Sequence, residues 1–351
     1  MTISIKLKHN KIKLLQKYLR NNDIDFTLLE KIDAKYFTGT SSEFLMVIPA
    51  NGKCKIYTSP LDIGNYRKDK SFLLKPFQDF KKQVIKNKTI GLNYEKTSIQ
   101  TKNKLKGKKK DVSKYLTELR QTKTAEEIRK IRTSCNIACK IINRTIKKIN
   151  KSLLSEKQIK RYLESETFNN DCTLAFTPIV ASGKNAAIPH AHSTDIKLRR
   201  GFLIIDFGVK YQGYCSDITR TVFVGNPTKK EREIYEKVLF VQQQSIKKAK
   251  DAIGESAGLL DRYARELFDE SKKYFTHSLG HGFGLEIHEA PFVALTATDI
   301  LDKDKVITIE PGYYDAENSI GIRIEDDVLI KENSVEVLTS KLPKKLIVIK
   351  S

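Results

Sequence analysis

The sequence predicts a two-domain protein of mixed α/β (α+β) class. In the N-terminal third, apolar residues at helical spacing over 9–21 precede several short strand-like segments. The remainder begins with two helical patterns and changes after Asp171 to strand-like segments separated by Gly-rich turns. A chain of 351 residues is long enough for two domains of ordinary size.

The N-terminal third contains short elements and no convincing cluster of catalytic residue types. The segment 44–59 has the pattern of a strand, a turn and a second strand, with Asn51-Gly52 as the turn. The other predicted strands are Phe26–Leu29, Tyr36–Phe37 and one that begins at Thr89.

A polar, lysine-rich stretch at 99–118 is interpreted as the connection between the domains. Its densest part, Lys104 to Asp111, is expected to be a loop. We therefore predict one domain over 1–115 and a second over 116–351.

The second domain is predicted to begin with two capped helices. In the first, over 122–149, Thr124 and Glu127 have the spacing of a capping box. In the second, over 155–168, Ser155 is the N-cap. Further helices are expected at Lys229–Lys250 and Leu259–Tyr274.

Composition is typical of a globular protein of the cytoplasm. Hydrophobic residues make up 40% and charged residues 30%, and no apolar run reaches the roughly 18–20 residues that span a bilayer. The basic start is interrupted by charge too often for a signal peptide. The five cysteines are an odd number without a zinc-type CxxC pair, which favours a reducing compartment. Cys135 and Cys139 are expected to pack inside a helix.

The net charge of +22 raises the possibility of a polyanionic partner. However, the charge is mostly lysine spread along the chain, and aromatic residues are not interleaved with it as on single-strand-binding surfaces. A solvated, lysine-rich surface is the favoured interpretation, and nucleic acid is not expected as a partner. A weak polyanion contact remains the alternative.

One histidine and four acids supply the donors of a metal site. Carboxylate and imidazole donors suit hard or borderline divalent ions such as Mn, Fe, Co or Zn. All lie in Gly-rich or strand-like contexts in the second domain. They are Asp206, Asp217, His281, Glu310 and Glu325.

Local sequence patterns predict how the side chains of three of these donors are positioned. A two-residue turn centred on Tyr211 and Gln212 would place Asp206 directly opposite Asp217, an arrangement that is costly without a cation. Pro311 should stop a strand and leave Glu310 at its end.

His281 lies between glycines, in a segment that holds three of the chain's six histidines within twelve residues. By contrast, Asp326 and Asp327 are expected at the surface and are excluded as ligands.

Four carboxylates can offset the charge of two dications. Such a pair, about 3.5–4 Å apart, activates a bridging water and polarises the carbonyl under attack. Neither a GxSxG elbow nor a P-loop is found in the sequence. Metal-assisted hydrolysis is therefore the predicted chemistry.

Four long segments resemble the pita-bread metallopeptidases, the family of Xaa-Pro peptidases, methionine aminopeptidases and creatinase. The resemblance implies a creatinase-like N-terminal α/β domain followed by a catalytic domain of pita-bread fold. The likeness covers nearly the whole chain and favours Xaa-Pro dipeptidase (prolidase) or aminopeptidase P. The segments are KYFTGTSSEFLMVIPANG (35–52), LTELRQTKTAEEIRKIRTSCNIA (116–138), ASGKNAAIPHAHSTDIKLRRGFLIIDFG (181–208) and FTHSLGHGFGLEIHEAP (275–291).

Residue roles follow from this resemblance. The five donors match the family's metal ligands, with Asp217 and Glu325 as bridges and Glu310 also as the acid that carries the proton. His190 matches a histidine that helps to stabilise the transition state, and His288 one that hydrogen-bonds the scissile carbonyl or the leaving side. Two further positions match residues that line the pocket near the substrate termini. These are His277 and Arg323.

The resemblance also implies a homodimer with two divalent ions per subunit, acting on short proline-containing peptides. The expected activity is hydrolysis of the peptide bond preceding proline. Phe292 stands where some prolidases carry an arginine that could hold the substrate carboxylate, which weakens a strict dipeptidase assignment. His192 matches no family position. The alternatives are a catalytically weak family member that binds polyanions or proteins, and a creatinase-like amidinohydrolase.

Overall fold

The structure is a computed structural model that describes residues 2–39, 44–65, 72–82, 88–149 and 151–350. It divides into two compact units, Met1–Arg120 and Gln121–Ser351. In the described part of the chain, none of the helices combines the length and the apolar character needed to cross a bilayer.

The first unit is built on one mixed sheet of six strands, flanked by helices. The strand order is β4-β3-β2-β1-β5-β6, with β2 antiparallel to both β1 and β3, and the other neighbours parallel. The elements are α1 (Thr2–Asn21), β1 (Phe26–Leu29), α2 (Lys31–Thr38), β2 (Phe44–Pro49), β3 (Lys55–Thr58), β4 (Leu73–Pro76), α3 (Phe77–Lys82), β5 (Thr89–Leu92), α4 (Ile99–Lys104), β6 (Lys108–Asp111) and α5 (Ser113–Gln121).

Two predictions in this unit are wrong. Tyr36 and Phe37 lie in helix α2, which ends at Gly39 in the left-handed conformation, and not in a strand. The stretch 99–118 is not a connection, because it forms α4, β6 and most of α5. Its lysine run supplies the edge strand β6, where charged side chains protect an unpaired edge.

Helices α6 (Ala125–Lys148) and α7 (Glu156–Asn169) open the second unit as predicted. Thr124 and Glu127 form the full capping box, and Ser155 accepts a hydrogen bond from the Gln158 N–H. Cys135 and Cys139 are both buried on α6. Two more helices follow at α8 (Lys229–Asp251) and α9 (Gly258–Phe268), the latter continued by a 3₁₀ turn over Asp269–Tyr274.

The remaining strands form small, mostly antiparallel sheets. One sheet has the order β20-β12-β9-β8 and a second the order β14-β13-β15-β18-β19, while β16 pairs with β17, and β10 pairs with both β7 and β11. Their bounds are β7 (Thr173–Leu174), β8 (Ile179–Ser182), β9 (Gly201–Phe207), β10 (Val209–Tyr211), β11 (Tyr214–Cys215), β12 (Ile218–Val224), β13 (Gly280–Gly282), β14 (Glu289–Val293), β15 (Val306–Ile309), β16 (Gly312–Asp315), β17 (Ile320–Arg323), β18 (Asp326–Ile330), β19 (Val335–Val337) and β20 (Val348–Ile349).

The hairpin that carries Asp206 and Asp217 has a different register from the predicted one. Its turn is centred on Gln212 and Gly213, both with positive φ (48° and 90°), as the favoured two-residue hairpin turn requires. As a result, Asp206 lies opposite Thr219. Asp217 is two residues before Thr219, so the side chains of these two residues project from the same face. Asp206 and Asp217 are therefore diagonal neighbours on one face and not a directly opposed pair.

Asp326 and Asp327 are fully buried, which contradicts the predicted surface location. Alternation along β18 sends the two side chains to opposite faces. Asp326 accepts hydrogen bonds from Arg220 (2.8 Å), Lys344 (2.8 Å) and Gln242 (2.8 Å). Burial alone would raise the pKa of Asp326, but the charges of Arg220 and Lys344 outweigh it and hold that pKa below its ordinary value.

We expect Asp326→Asn to destabilise the second unit by about 3–5 kcal/mol, because it leaves the buried Arg220 guanidinium without its counter-charge. The measurement is urea unfolding of the metal-free protein. Since the folded-state pKa is lowered, the contribution of Asp326 is complete above pH about 4 and is lost as pH falls through the folded value. The exposed ion-pair variant Glu332→Gln is the control. Equal stability of the two variants at pH 7 would show that the network is dispensable.

Candidate metal centre

A cavity of about 270 Å³ opens within the second unit. The structure brings together on its walls all nine residues that the sequence analysis assigned to a site. They are His190, Asp206, Asp217, His277, His281, His288, Glu310, Arg323 and Glu325. Apolar residues complete the lining: Phe176, Ile179, Pro189 and Ile287.

Strand positions explain how the acids reach the cavity. Asp206 lies near the end of β9, and Asp217 immediately precedes β12. Glu310 follows β15 directly, where Pro311 ends the strand as predicted. Glu325 lies between β17 and β18, and its N–H donates to the Thr219 carbonyl oxygen across the cavity floor (3.1 Å).

The donor atoms of Asp217, His281 and Glu325 all lie within 4.8 Å of one another. His281 Nε2 is 3.7 Å from Asp217 Oδ2 and 3.3 Å from Glu310 Oε1. On the other side of the ring, His281 Nδ1 is 3.1 Å from the Gly282 carbonyl oxygen. That carbonyl can only accept, so Nδ1 carries a proton and Nε2 faces the carboxylates.

Crowded, buried carboxylates shift their own pKa values upward. Burial, and then the charges of neighbouring acids, raise the pKa values of Asp217 and Glu325 well above the ordinary range. Glu310 behaves differently. Burial alone would raise its pKa, but the hydrogen bond to His281 together with the charges of His281, His277 and Arg323 lowers the pKa of Glu310 to about 2. At His281, burial alone would lower the imidazole pKa, but the hydrogen bond and charge of Glu310, with the Gly282 carbonyl and the Asp327 charge, raise it.

Asp206 forms a buried ion pair with Arg323, whose Nη2 is 2.5 Å from Asp206 Oδ2. The guanidinium also donates to the Tyr314 hydroxyl (2.7 Å) and to Thr219 Oγ1 (3.2 Å). Arg323 is the one lysine or arginine among the described residues of the lining. The other oxygen, Asp206 Oδ1, is buried and has no hydrogen-bond partner among the described residues.

These residues fit divalent cations. Four carboxylates converge on a space that a single arginine cannot neutralise, and one buried carboxylate oxygen is left without a partner. The donor atoms of three of these residues already lie within 4.8 Å of one another. The oxygen-rich donor set with one imidazole matches borderline dications.

Three further histidines surround the donors. His277 Nε2 is 3.0 Å from the Tyr314 hydroxyl, and burial lowers the His277 pKa. The ring of His288 stands edge-on to that of His281, at 4.3 Å between centroids, and burial together with the His281 charge lowers the His288 pKa. His190 reaches the cavity from an exposed segment, whereas His192, two residues on, is exposed and lies outside the lining.

Sequence reasoning missed the residues that support the donors. Asp327 accepts hydrogen bonds from the Asp217 N–H (3.1 Å) and from Cys135 Sγ (3.1 Å), and burial raises the Asp327 pKa to about 8. Thr308 Oγ1 accepts from the His281 N–H and donates to Glu310 Oε1, both at 3.0 Å. Apart from Glu310, which is two residues from Thr308, these partners lie far away in sequence, so a local pattern could not reveal them.

The chain belongs to metallopeptidase family M24, whose model matches residues 129–332. It is 36% identical to a Xaa-Pro dipeptidase from Pyrococcus furiosus, over 94% of this chain and 97% of that protein. The prolidase from Pyrococcus horikoshii superposes with a TM-score of 0.88 at 32% identity, covering 96% of this chain and 100% of that chain.

The X-Pro aminopeptidase from Thermotoga maritima superposes with a TM-score of 0.84 at 32% identity, covering 93% of this chain and 98% of that one. These similarities confirm the predicted family and the predicted fold class. They also confirm that the chain is a peptidase of the metal-dependent type.

We expect divalent metal to raise the thermal midpoint of the protein and Asp217→Asn to remove most of that rise. Binding at a hundredfold excess over Kd stabilises by about 2.7 kcal/mol, which corresponds to roughly 5–10 °C in a unit of this size. Differential scanning calorimetry with Mn²⁺ or Co²⁺ is the measurement. The control is His192→Ala, at an exposed residue, which should show the same metal-induced rise of the thermal midpoint as the wild-type protein. A full rise in Asp217→Asn would exclude this residue as a ligand.

Proposed function

We propose that this protein hydrolyses the peptide bond that precedes proline in short peptides. The observation that carries the proposal is the cavity itself, whose lining combines the five candidate metal donors with four apolar residues. These residues, Phe176, Ile179, Pro189 and Ile287, offer apolar surface for a pyrrolidine ring in the same cavity as the donors. The relatives named Xaa-Pro dipeptidase and X-Pro aminopeptidase support the same assignment.

We further propose that two divalent ions, Mn, Co, Fe or Zn, are held in each subunit. Asp206, Asp217, His281, Glu310 and Glu325 would hold them. Bound there, the ions would supply positive charge that activates water and polarises the scissile carbonyl.

The remaining chemistry falls to side chains of this chain. Glu310, held by Thr308 Oγ1 at 3.0 Å, has a carboxylate oxygen placed to take a proton from the attacking water and pass it to the leaving nitrogen. His288, kept neutral by its lowered pKa, can donate a hydrogen bond to the substrate carbonyl. His190 also lines the cavity, where it can stabilise charge in the transition state.

In this proposal, Arg323 and His277 position other groups of the site. Arg323 fixes the Asp206 carboxylate through the 2.5 Å ion pair. Tyr314 joins the two residues, since its hydroxyl contacts both Arg323 Nη1 and His277 Nε2. Because its guanidinium already contacts Asp206 and Tyr314, Arg323 is poorly suited to bind a free substrate carboxylate.

Substrates longer than a dipeptide are therefore the proposed preference. Phe292 is half-exposed on β14, opposite His281 in the strand register, so the two side chains project from the same face. A phenylalanine there provides no charge for the carboxyl terminus of a Xaa-Pro dipeptide. A homodimer, a cytoplasmic location and a domain boundary near residue 115 remain predictions of the sequence.

The proposal predicts cleavage of Xaa-Pro dipeptides and Xaa-Pro-Yaa tripeptides, but slow or absent cleavage of matched Xaa-Ala peptides. Activity should be lost with EDTA and restored by one of the four metals, with metal content measured in the same sample. Asp217→Asn should be inactive and His192→Ala fully active. Metal-loaded protein that cleaves none of the proline peptides would refute the assignment.

We expect Phe292→Arg to lower KM for Xaa-Pro dipeptides by about tenfold, the value of one charge-assisted contact to the carboxylate. The KM for C-terminally amidated tripeptides should change little, because they carry no such charge. Steady-state kinetics on both substrates tests this. An equal change for the two substrates would show that residue 292 does not face the carboxyl end.

A further inference from the structure

His190 is carried by a segment that has little structure of its own. Residues 183–193, here called the histidine loop, connect the end of β8 to the extended stretch before β9. After a 3₁₀ turn over Gly183–Ala187, the internal backbone bonds of the loop are short-range ones at Ile188 and Ala191. The position of His190 on the cavity wall must therefore be fixed by contacts from outside the loop.

One buried carboxylate closes both ends of this loop. At the first end, Glu156 Oε1 accepts from the Ser182 N–H (2.6 Å) and hydroxyl (2.8 Å). At the other end, Glu156 Oε2 accepts from the Thr194 N–H (2.7 Å) and hydroxyl (2.9 Å). Within the loop, Asn185 Nδ2 donates to the same oxygen (2.9 Å) and also to the His192 carbonyl (3.0 Å).

The chemistry of these contacts requires a carboxylate. All five groups around the two Glu156 oxygens donate, so both oxygens must accept. A glutamine would turn an NH₂ group toward donors at one end of the loop. The side chain is only 1% exposed, so water could not replace the lost contacts.

The histidine loop also packs closely against strand β17. A side chain at Gly321 would approach the Ala186 carbonyl oxygen to 1.8 Å, so only glycine allows this contact. Two residues along the strand, Arg323 pairs with Asp206 in the cavity. The loop is therefore held by Glu156 at both of its ends and by β17 at Ala186.

We propose that Glu156 is a positioning residue that holds His190 in the catalytic geometry. It lies outside the cavity lining and acts through the histidine loop, by tying Ser182, Asn185 and Thr194 to the start of helix α7. The kinetic part of this proposal rests on the proposed function, whereas the structural part does not.

Limited proteolysis tests the structural part without any peptidase assay. Glu156→Gln should raise the rate of tryptic cleavage after Lys184, an exposed loop residue, by about tenfold or more. The matched control is Glu164→Gln, the same change on the same helix. Glu156→Asp keeps the acceptors and should fall between wild type and Glu156→Gln. Equal cleavage rates in all four proteins would overturn the proposal.

A double-mutant cycle with His190→Ala tests the kinetic part. In the wild-type background, Glu156→Gln should lower kcat for a Xaa-Pro peptide by about tenfold or more, at unchanged metal content. In the His190→Ala background, Glu156→Gln should lower kcat by less than about twofold, because the side chain that Glu156 positions is absent. Equal losses in both backgrounds would show that Glu156 acts through general stability.

Two other outcomes are also decisive. If Glu156→Gln does not fold, as judged by circular dichroism, the cycle is run with Glu156→Asp, and additivity there counts equally against the proposal. If the wild-type protein cleaves no proline peptide, the proposed function fails, while the proteolysis result still decides whether Glu156 holds the loop.

Discussion

Mutual repulsion of buried carboxylates is the constraint on which the rest of this structure depends. Four acids converge on one cavity, and the positive charges paired with them among the described lining residues are those of Arg323 and His281. Such an arrangement is unfavourable by itself and becomes a strong binding site when cations are present. The surrounding sheets, loops and hydrogen bonds can be understood as the framework that keeps these acids together.

Consecutive residues in that framework have very different surroundings. Glu325 enters the cavity, where Thr219 Oγ1 donates to it at 2.7 Å. Asp326 contacts the buried Arg220 and the partly exposed Lys344, whose charges lower its pKa. Asp327 turns beneath Asp217, where burial raises its pKa to about 8. Three adjacent acids therefore serve as candidate ligand, structural anion and hydrogen-bond partner of another candidate ligand, and strand alternation separates them.

Sequence patterns predicted the local features well and the long-range ones poorly. The capping box at Thr124 was predicted because its two partners are three residues apart. The hairpin register was wrong because a shift of the turn by one residue changes every opposed pair, and Gln212 gave no sign that it would adopt a positive φ. The burial of Asp326 and Asp327 depends on partners about a hundred residues away or more, such as Arg220 and Cys135. The roles given to His190 and His288 came from family resemblance alone and remain predictions.

Protons and metal ions compete for the same atoms in this cavity. The raised pKa values of Asp217 and Glu325 mean that these acids hold protons more tightly than exposed carboxylates do. The raised pKa of His281 places a further proton on a nitrogen that a metal would need. Binding of a dication must release these protons, so apparent metal affinity should decrease as pH falls. The charge distribution that makes the site costly to build thus also makes its occupancy sensitive to pH.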